Sequence, residues 1–238
     1  MRELMSEFKE LRLHGMAGAW EELTANGGSR VEASRWLIEH LLQAEHTDRV
    51  MRSIGYQMHA ARFPVHRDLA GFDFEQSKVD QKLIRQLADL SFAEEAQNVV
   101  FIGGTGTGKT HLACGIALRA MGKFGASAVF TTVSKMARRV REAKSFASEE
   151  TESQAIGVFV YPDLLIVDEV GLQSGTDAEA RTLFDIINER YEQRKPTVFL
   201  SNLDLDGVKA ALGERVFDRL REDGGEVVTF AWESQRGR

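Results

Sequence analysis

The sequence predicts an α/β protein in which a mainly parallel β-sheet is flanked by helices and preceded by a small all-helical module. Short β-rich runs recur from residue 98 onward, and the first four are separated by helical stretches long enough for crossover connections. Residues 1–62, by contrast, contain helical periodicity and no proline. The length of 238 residues suits one large domain, or a small domain joined to a medium one.

Composition and charge exclude several classes of protein. The net charge of −6 at pH 7 argues against a basic coat for nucleic acid, although it leaves room for a local basic patch. Cys114 is the only cysteine, which excludes an internal disulfide and a cysteine-based zinc cluster. The first fifteen residues are charged throughout, unlike a signal peptide, and no apolar run reaches the length of a membrane span. We therefore expect a soluble cytoplasmic protein without membrane association.

Residues 1–62 predict a helical module that binds DNA or a partner protein, because apolar residues recur there at helical spacing. The stretch 49–67 has no carboxylate but contains Arg49, Arg52, Arg62 and Arg67. Such a block is either a solvated face or a stripe that contacts phosphates, and both interpretations remain open. Residues 63–96 predict a linker and a lead-in helix, since Pro64 ends any helix before it.

Five β-rich runs predict the strands of the sheet. They are NVVFIG (98–103), SAVFTT (127–132), DLLIVDE (163–169), TVFLSN (197–202) and VVTFAW (227–232). Between the third and fourth runs, a crossover helix is predicted by one apolar stripe at helical spacing, formed by Ala180, Leu183, Phe184, Ile187 and Tyr191. The polar, acidic segment 145–154 predicts a mobile loop.

The strongest signal is a phosphate-binding loop. The run VVFIG leads directly into GGTGTGKT at 103–110, which fits the pattern G-x-x-x-x-G-K-[ST]. Glycines let backbone N–H groups converge on phosphate oxygens, and the following helix offers its N-terminal dipole to the same anion. Lys109 would reach the β- and γ-phosphates of ATP, and Thr110 would hold Mg²⁺. The predicted nucleotide-binding residues are Gly103, Gly104, Thr105, Gly106, Thr107, Gly108, Lys109, Thr110 and His111.

Two carboxylates end a later buried strand, LLIVDE. Asp168 is predicted to orient Mg²⁺ and its waters together with Thr110, and Glu169 is predicted to act as the general base for the attacking water. Because nucleotide binding alone does not need the second acid, the pair favours ATP hydrolysis over nucleotide storage.

The next apolar strand, TVFLSN, ends in Asn202. At the carboxyl end of a neighbouring strand, this side chain would hold the lytic water or sense the γ-phosphate. The alternative is a turn or helix-cap residue before LDLDG, which is the more common role of an isolated Asn. Beside the two preceding motifs, the sensor role is favoured.

Together these motifs resemble the AAA+ ATPases of the IstB/DnaC clade, which contains transposition helpers and bacterial helicase loaders. The resemblance rests on GGTGTGKTHLA, LLIVDEVG, FLSN and LGERVFDRLR. The N-terminal half, including FKELRLHGMAGAWEEL, is more similar to IstB, whereas the C-terminal half, including GERVFDRLREDGGEVVTFAWESQR, is more similar to DnaC. The chain is then a natural mosaic or a fused one. The resemblance implies that residues 97–238 form an AAA+ domain of the ASCE class of P-loop NTPases.

The resemblance also implies a homo-oligomeric ring or spiral on DNA, with ATP at the subunit interfaces. One subunit supplies the phosphate loop, Asp168, Glu169 and Asn202, and its neighbour supplies an arginine that reaches the γ-phosphate. Arg215, in LGER, matches that arginine. Arg219 is a second candidate or a salt-bridge partner of nearby acids, and Arg236, in WESQR, is where a second sensor would lie.

In this clade an extra helical element after the second strand faces the DNA channel. Here that region is VSKMARRVREAK, where one acid, Glu142, stands against Lys135, Arg138, Arg139, Arg141 and Lys144. An ordinary solvated helix would look similar, but in an acidic protein at this place DNA-backbone contact is favoured. Such contacts bind phosphates without reading sequence. Arg49, Arg52 and Arg62 complete the predicted DNA-binding set.

The leading hypothesis is an ATP-dependent helper that remodels or selects target DNA and stimulates a transposase, since the N-terminal module is IstB-like. The alternative is a replicative helicase loader, so the partner is a transposase or a helicase. A small-molecule P-loop kinase is disfavoured by the combination of Asp168, Glu169, Asn202 and Arg215. A nucleotide-binding regulator without turnover is disfavoured by Lys109 and Glu169.

Overall fold

The computed structural model describes residues 4–25, 34–45, 48, 63, 68–74, 77, 79–89, 97–146, 148–171, 177–221 and 224–234. The chain divides into two compact units, Met1–Gly55 and Tyr56–Arg238. Residues 62 and 96, where the sequence predicts boundaries, lie outside the described residues, so those boundaries stay predictions. No helix in the described part of the chain combines the length and apolar character needed to span a membrane.

The described residues of the first unit are mainly helical, as predicted. It contains α1 (Leu4–Glu10), α2 (His14–Ala25) and a further helix, α3, over residues 34–45. Its small core consists of Leu4, Phe8, Leu11, Ala17, Trp20 and Leu42. Other apolar residues at helical spacing are exposed, namely Met16, Leu23, Trp36, Leu37 and Leu41. Arg49, Arg52 and Arg62 lie outside the described residues.

The second unit is built on a five-stranded sheet in the order β2-β3-β4-β1-β5, in which every pairing is parallel. The predicted runs are confirmed as β1 (Val99–Gly103), β2 (Ala128–Thr132), β3 (Leu164–Val170), β4 (Thr197–Ser201) and β5 (Glu226–Phe230). The order itself was not predicted. It inserts β4 between β1 and β3, so the carboxyl ends of these three strands are neighbours.

Helices cover both faces of the sheet. Along β1, Val99 and Phe101 belong to one core, whereas Val100 and Ile102 belong to another on the opposite face. Both faces are buried, which explains why the strand sequences are continuously apolar rather than alternating. The helices are α4 (Gln81–Ala88), α5 (Lys109–Phe124), α6 (Val133–Ala143), α7 (Glu152–Val160), α8 (Asp177–Glu192), α9 (Leu205–Leu212) and α10 (Glu214–Arg221).

The prediction of a loop throughout residues 145–154 is wrong at its end. Helix α7 begins at Glu152, and a capping box joins Thr151 to Gln154. The Thr151 backbone N–H donates to Gln154 Oε1 at 2.9 Å, while the Gln154 N–H donates to Thr151 Oγ1 at 3.3 Å. This reciprocal pair satisfies two backbone donors and starts a helix in a segment whose composition is polar and acidic.

A buried arginine fastens the amino ends of β3 and β4. Arg190, on α8, is only 1% exposed. Its guanidinium donates hydrogen bonds to Thr197 Oγ1 and to the carbonyl oxygens of Phe159, Val160, Pro162, Asp163 and Pro196. Burial lowers the pKa of Arg190 to about 9, while the Asp163 carboxylate opposes that shift. The side chain therefore connects α8 with the end of α7 and the starts of two strands.

Replacing Arg190 with Ala should lower the free energy of unfolding by at least about 3 kcal/mol, because several buried carbonyl oxygens lose their donor at about 1–3 kcal/mol each. Urea unfolding followed by circular dichroism measures this. Arg181→Ala is the matched control, since Arg181 is exposed on the same helix and should cost less than about 0.5 kcal/mol. Equal losses in the two variants would contradict the role assigned to Arg190.

Candidate nucleotide-binding site

The loop after β1 has the conformation that its glycines predict. Gly103, Gly106 and Gly108 have φ angles of 146°, 79° and 99°, a region that side chains disfavour. A Cβ atom on Gly103 would overlap the carbonyl oxygen of Phe230, and one on Gly108 would lie 2.6 Å from Cε2 of Phe72. Both backbone conformation and close packing therefore require glycine at these two positions. The resulting loop leads directly into α5, whose N-cap is Gly108.

Lys109 is the first residue of α5 and joins two strand ends. The side chain is buried, with 6% exposure. Its Nζ donates to the carbonyl oxygens of Gly103 and Gly104 at 2.7 Å each, and to Asn202 Oδ1 at 3.0 Å. A cation at a helix N-terminus is unfavourable unless negative or dipolar groups compensate it. A phosphate oxygen is a stronger acceptor than these neutral oxygens, so the ammonium suits an anionic ligand.

Thr110 and Asp168 supply the oxygens that Mg²⁺ prefers. Thr110 Oγ1 donates to Asp168 Oδ2 at 3.1 Å, linking α5 to β3. Hydroxyl and carboxylate oxygens are hard ligands, and Mg²⁺ is commonly held by one or two carboxylates together with substrate phosphates. Among the residues that the structure describes, no three His, Cys, Asp or Glu side chains form a metal cage. The donor set thus fits a magnesium ion that arrives with a nucleotide.

The end of β3 is irregular where the two acids lie. Its pairing register with β4 shifts between Val167 and Val170. Glu169 lies in the left-handed region with φ 59°, which costs a residue other than glycine about 1–3 kcal/mol. Such bulges are common beside active sites because they re-aim a side chain. As a result Glu169 is exposed, while Asp168 is half-buried and accepts the Glu169 backbone N–H at 2.7 Å.

Asn202 follows β4 directly and lies between the phosphate loop and the acid pair, because β4 separates β1 from β3. The helix-cap alternative does not hold, since the cap of α9 is Asp204, whose Oδ1 accepts the Gly207 N–H at 2.8 Å. Asn202 is therefore available to contact Lys109. Its neighbour Ser201, which sequence reasoning missed, is buried and hydrogen-bonded on both sides.

Residues 68–74, a connector that precedes the sheet in the chain, pack on the first turns of α5. His111 Nε2 lies 2.9 Å from the Asp68 carbonyl oxygen, and its ring meets Phe72 edge-on at 5.2 Å. Further along, a Cβ on Gly115 would lie 2.8 Å from Leu69. The ring of His111 thus faces the connector. Sequence reasoning missed this contact, although a glycine inside a predicted helix is a signal of close backbone packing.

The two arginines of α10 have different surroundings. Arg215 is exposed and makes no hydrogen bond or ion pair with any described residue. Arg219 lies over the ring of Tyr191, with 4.7 Å between its guanidinium carbon and the ring centre. This cation–π contact holds Arg219 against α8, and Arg219 forms no ion pair with another described residue. Arg236 lies outside the described residues.

The basic helix predicted to face DNA is α6, and acids from the next segment approach it. Arg139 Nη2 lies 2.6 Å from Glu150, Lys144 lies 2.8 Å from Glu152, and Arg138 lies 3.9 Å from Glu142. The sequence analysis considered only Glu142, because Glu150 and Glu152 lie beyond the helix in the chain. Two exposed cations make no ion pair with a described residue, namely Lys135 and Arg141. Contact of this helix with DNA stays a prediction.

The sequence places the chain in a known protein family. The sequence profile of the IstB-like ATP binding protein family matches residues 6–238. The chain belongs to this family. An ATP-binding protein of insertion sequence IS5376 from Geobacillus stearothermophilus is 32% identical over 204 residues, which cover 85% of this chain and 79% of that protein.

Replication proteins are also similar to this IstB-like chain. The replicative helicase loader DnaC of Buchnera aphidicola is 35% identical over 149 residues, which cover 61% of this chain and 58% of the loader. The chain thus spans less than two thirds of that relative. A crystal structure of the DnaC helicase loader has a TM-score of 0.56 at 22% identity, covering 63% of this chain and 86% of the other. The predicted α/β fold, a parallel sheet with flanking helices and a P-loop, is confirmed, and membership of the family supports the predicted ATPase activity.

Replacing Lys109 with Ala should weaken ATP binding at least about thirtyfold, because loss of a buried charged contact to a ligand costs about 2–5 kcal/mol. Titration with a fluorescent ATP analogue measures the affinity, and phosphate release measures turnover. Lys123→Ala is the matched control, since Lys123 is on the same helix but half-exposed and paired with Asp89. Wild-type affinity in the Lys109 variant would contradict the site.

Proposed function

We propose that this IstB-like ATPase assembles on DNA in an ATP-dependent manner and helps a transposase choose and commit to its target. The observation that carries the proposal is the convergence of Lys109, Asp168 and Asn202 at the carboxyl ends of β1, β3 and β4, with exposed Glu169 beside them. Transposition is favoured over replication because the insertion-sequence relative matches 85% of the chain and the DnaC relative 61%.

In the proposed mechanism, backbone amides of the loop bind the ATP phosphates and Lys109 transfers its hydrogen bonds from loop carbonyls to phosphate oxygens. Thr110 and Asp168 would hold Mg²⁺, which neutralises charge on the β- and γ-phosphates when it is bound. Glu169 takes a proton from water as that water attacks the γ-phosphorus, and the bond to the β-phosphate oxygen breaks to leave ADP and phosphate. Asn202 orients the water or senses the γ-phosphate.

Arg215 is the proposed link between subunits. An exposed arginine without a partner among the described residues has all its donors available for a phosphate on a neighbouring subunit. Such arginine fingers raise the rate by about 10³–10⁵ in GTPases. The rest of α10 supports this placement, because Val216, Phe217 and Leu220 are buried and fix the helix. ATP would then be hydrolysed only at an interface between two copies of the chain.

Mixing two inactive variants tests the shared site. Arg215→Ala and Lys109→Ala should each lack DNA-stimulated ATPase activity, because each removes one half of every interface. A mixture should regain activity, since some interfaces then combine an intact Lys109 with an intact Arg215. Phosphate release at several mixing ratios is the measurement. Arg219→Ala is the comparison variant on the same helix and should stay active alone, since it keeps both Lys109 and Arg215. Normal activity of Arg215→Ala alone would contradict the interface model.

The DNA contacts are proposed for the exposed cations of α6. Lys135→Gln and Arg141→Gln should each weaken DNA binding. Each should also reduce the slope of log K against log salt by up to about 0.9 on duplex DNA, because binding then releases counterions from one phosphate fewer. Fluorescence anisotropy across a salt series measures both. Lys82→Gln, an exposed cation on α4, makes the same charge change and should leave the slope unaltered. An unchanged slope in the α6 variants would make α6 an ordinary solvated surface.

Helicase loading is the second candidate, and the similarity to DnaC loaders favours it. Both candidates use the same ATP site and differ in the protein partner. The full-length chain can be bound to a slowly hydrolysed ATP analogue. Its binding to a purified transposase is then compared with its binding to a purified ring helicase. Binding to the transposase supports the proposal, and binding to the helicase alone supports the alternative.

A further inference from the structure

The two strand ends that carry the acids and Asn202 are not joined by a regular ladder. Val167 pairs with Phe199 and Val170 pairs with Ser201, so two residues of β3 stand opposite one residue of β4. These two residues are Asp168 and Glu169, and the single residue opposite them is Leu200. Regular pairing therefore stops at the residues that the hydrolysis mechanism uses, and other interactions must set the distance between β3 and Asn202.

The Ser201 hydroxyl spans this irregular segment. Its Oγ donates to the Val170 carbonyl oxygen at 2.6 Å and accepts the Leu203 backbone N–H at 3.1 Å. Ser201 is 1% exposed, so water cannot easily replace either bond. One hydroxyl thus joins the segment that follows Glu169 to the residues on both sides of Asn202.

Packing beside the hydroxyl reinforces the same connection. Gly171 follows β3 with φ 94°, and a Cβ at this position would overlap the Leu203 side chain. The backbone of one segment and the side chain of the other are therefore in direct contact. On the far side, Asn202 Oδ1 accepts from Lys109 Nζ at 3.0 Å. The position of Asn202 is thus defined from the acid segment and from the phosphate loop.

We propose that Ser201 is a positioning residue for ATP hydrolysis, which holds Asn202 and Glu169 in a fixed relation across the bulge. This inference rests on the proposed roles of Glu169 and Asn202. Ser201 itself touches neither substrate nor metal in this scheme. It acts on the geometry of the attacking water, and ATP binding depends instead on the loop and Lys109. The two effects can therefore be separated experimentally.

Ser201→Ala should lower kcat by about 10- to 100-fold, because a displacement of about 1 Å in a reacting geometry costs up to about 100-fold. The KM for ATP should stay within about threefold, since uniform binding is unchanged. Ser201→Thr keeps the hydroxyl and should retain most of kcat. Steady-state phosphate release with the full-length chain on DNA gives both constants.

Thr197→Val is the matched control. Thr197 lies in the same strand, is equally buried at 1%, and its hydroxyl accepts from Arg190 Nε at 3.0 Å. It sits at the amino end of β4, away from the site. This variant should lose stability to urea yet keep the kcat of folded protein. A fall in kcat in Thr197→Val as large as that in Ser201→Ala would overturn the proposal, because both would then act through general destabilisation.

A double variant shows whether Ser201 acts through Glu169. In a Glu169→Gln background, Ser201→Ala should change the residual single-turnover rate less than about twofold, because the effects of residues that act as a unit are not additive. A full additional loss would overturn the proposal. If Glu169→Gln keeps the wild-type rate, the proposed role of Glu169 fails instead, and that result is distinct from any result on Ser201.

Gly171→Ala disturbs the same connection from the other segment and serves if Ser201→Ala does not fold. The added methyl group must displace Leu203, so kcat should again fall while KM is retained. Wild-type kcat in Ser201→Ala, or in Gly171→Ala where only that variant folds, would overturn the proposal.

Discussion

The insertion of β4 between β1 and β3 is the constraint on which the site depends. In a parallel sheet all carboxyl ends lie at one edge, so strand order decides which loops are neighbours. Here the order β2-β3-β4-β1-β5 places Asn202 between Lys109 and Asp168. The Lys109–Asn202 and Thr110–Asp168 hydrogen bonds are direct consequences. A different order would leave the same motifs in the sequence without bringing their side chains together.

The amino ends and the carboxyl ends of the strands differ in the hydrogen bonds that fix them. We call these two sides of the sheet its amino edge and its carboxyl edge. At the amino edge, Arg190 occupies its donors with buried carbonyl oxygens and the Thr197 hydroxyl. At the carboxyl edge, Lys109 holds neutral oxygens that a phosphate can replace, and Glu169 and Asn202 are exposed. This division suits an ATPase, since one edge remains fixed while the other exchanges partners during turnover.

Local patterns were sufficient to predict the strands, the phosphate loop and the residues at the strand ends. The strands were recognisable because both faces of the sheet are buried, and the loop because its glycines are required by backbone angle and by the approach of Phe72 and Phe230. The strand order, the bulge at Glu169 and the contacts of Arg190 and Ser201 were not predictable. All of these features depend on contacts between segments that are distant in the chain, and no local sequence pattern indicates which segments meet.

The left-handed backbone of Glu169 has a consequence for how such a chain tolerates change. A strained residue lowers the stability of every folded molecule. At such a position, selection for stability and selection for activity favour different side chains. Glycine would relieve the backbone but would remove the carboxylate. Glutamate at this position, with φ 59°, is therefore what selection for the proposed general base would retain and selection for stability alone would discard.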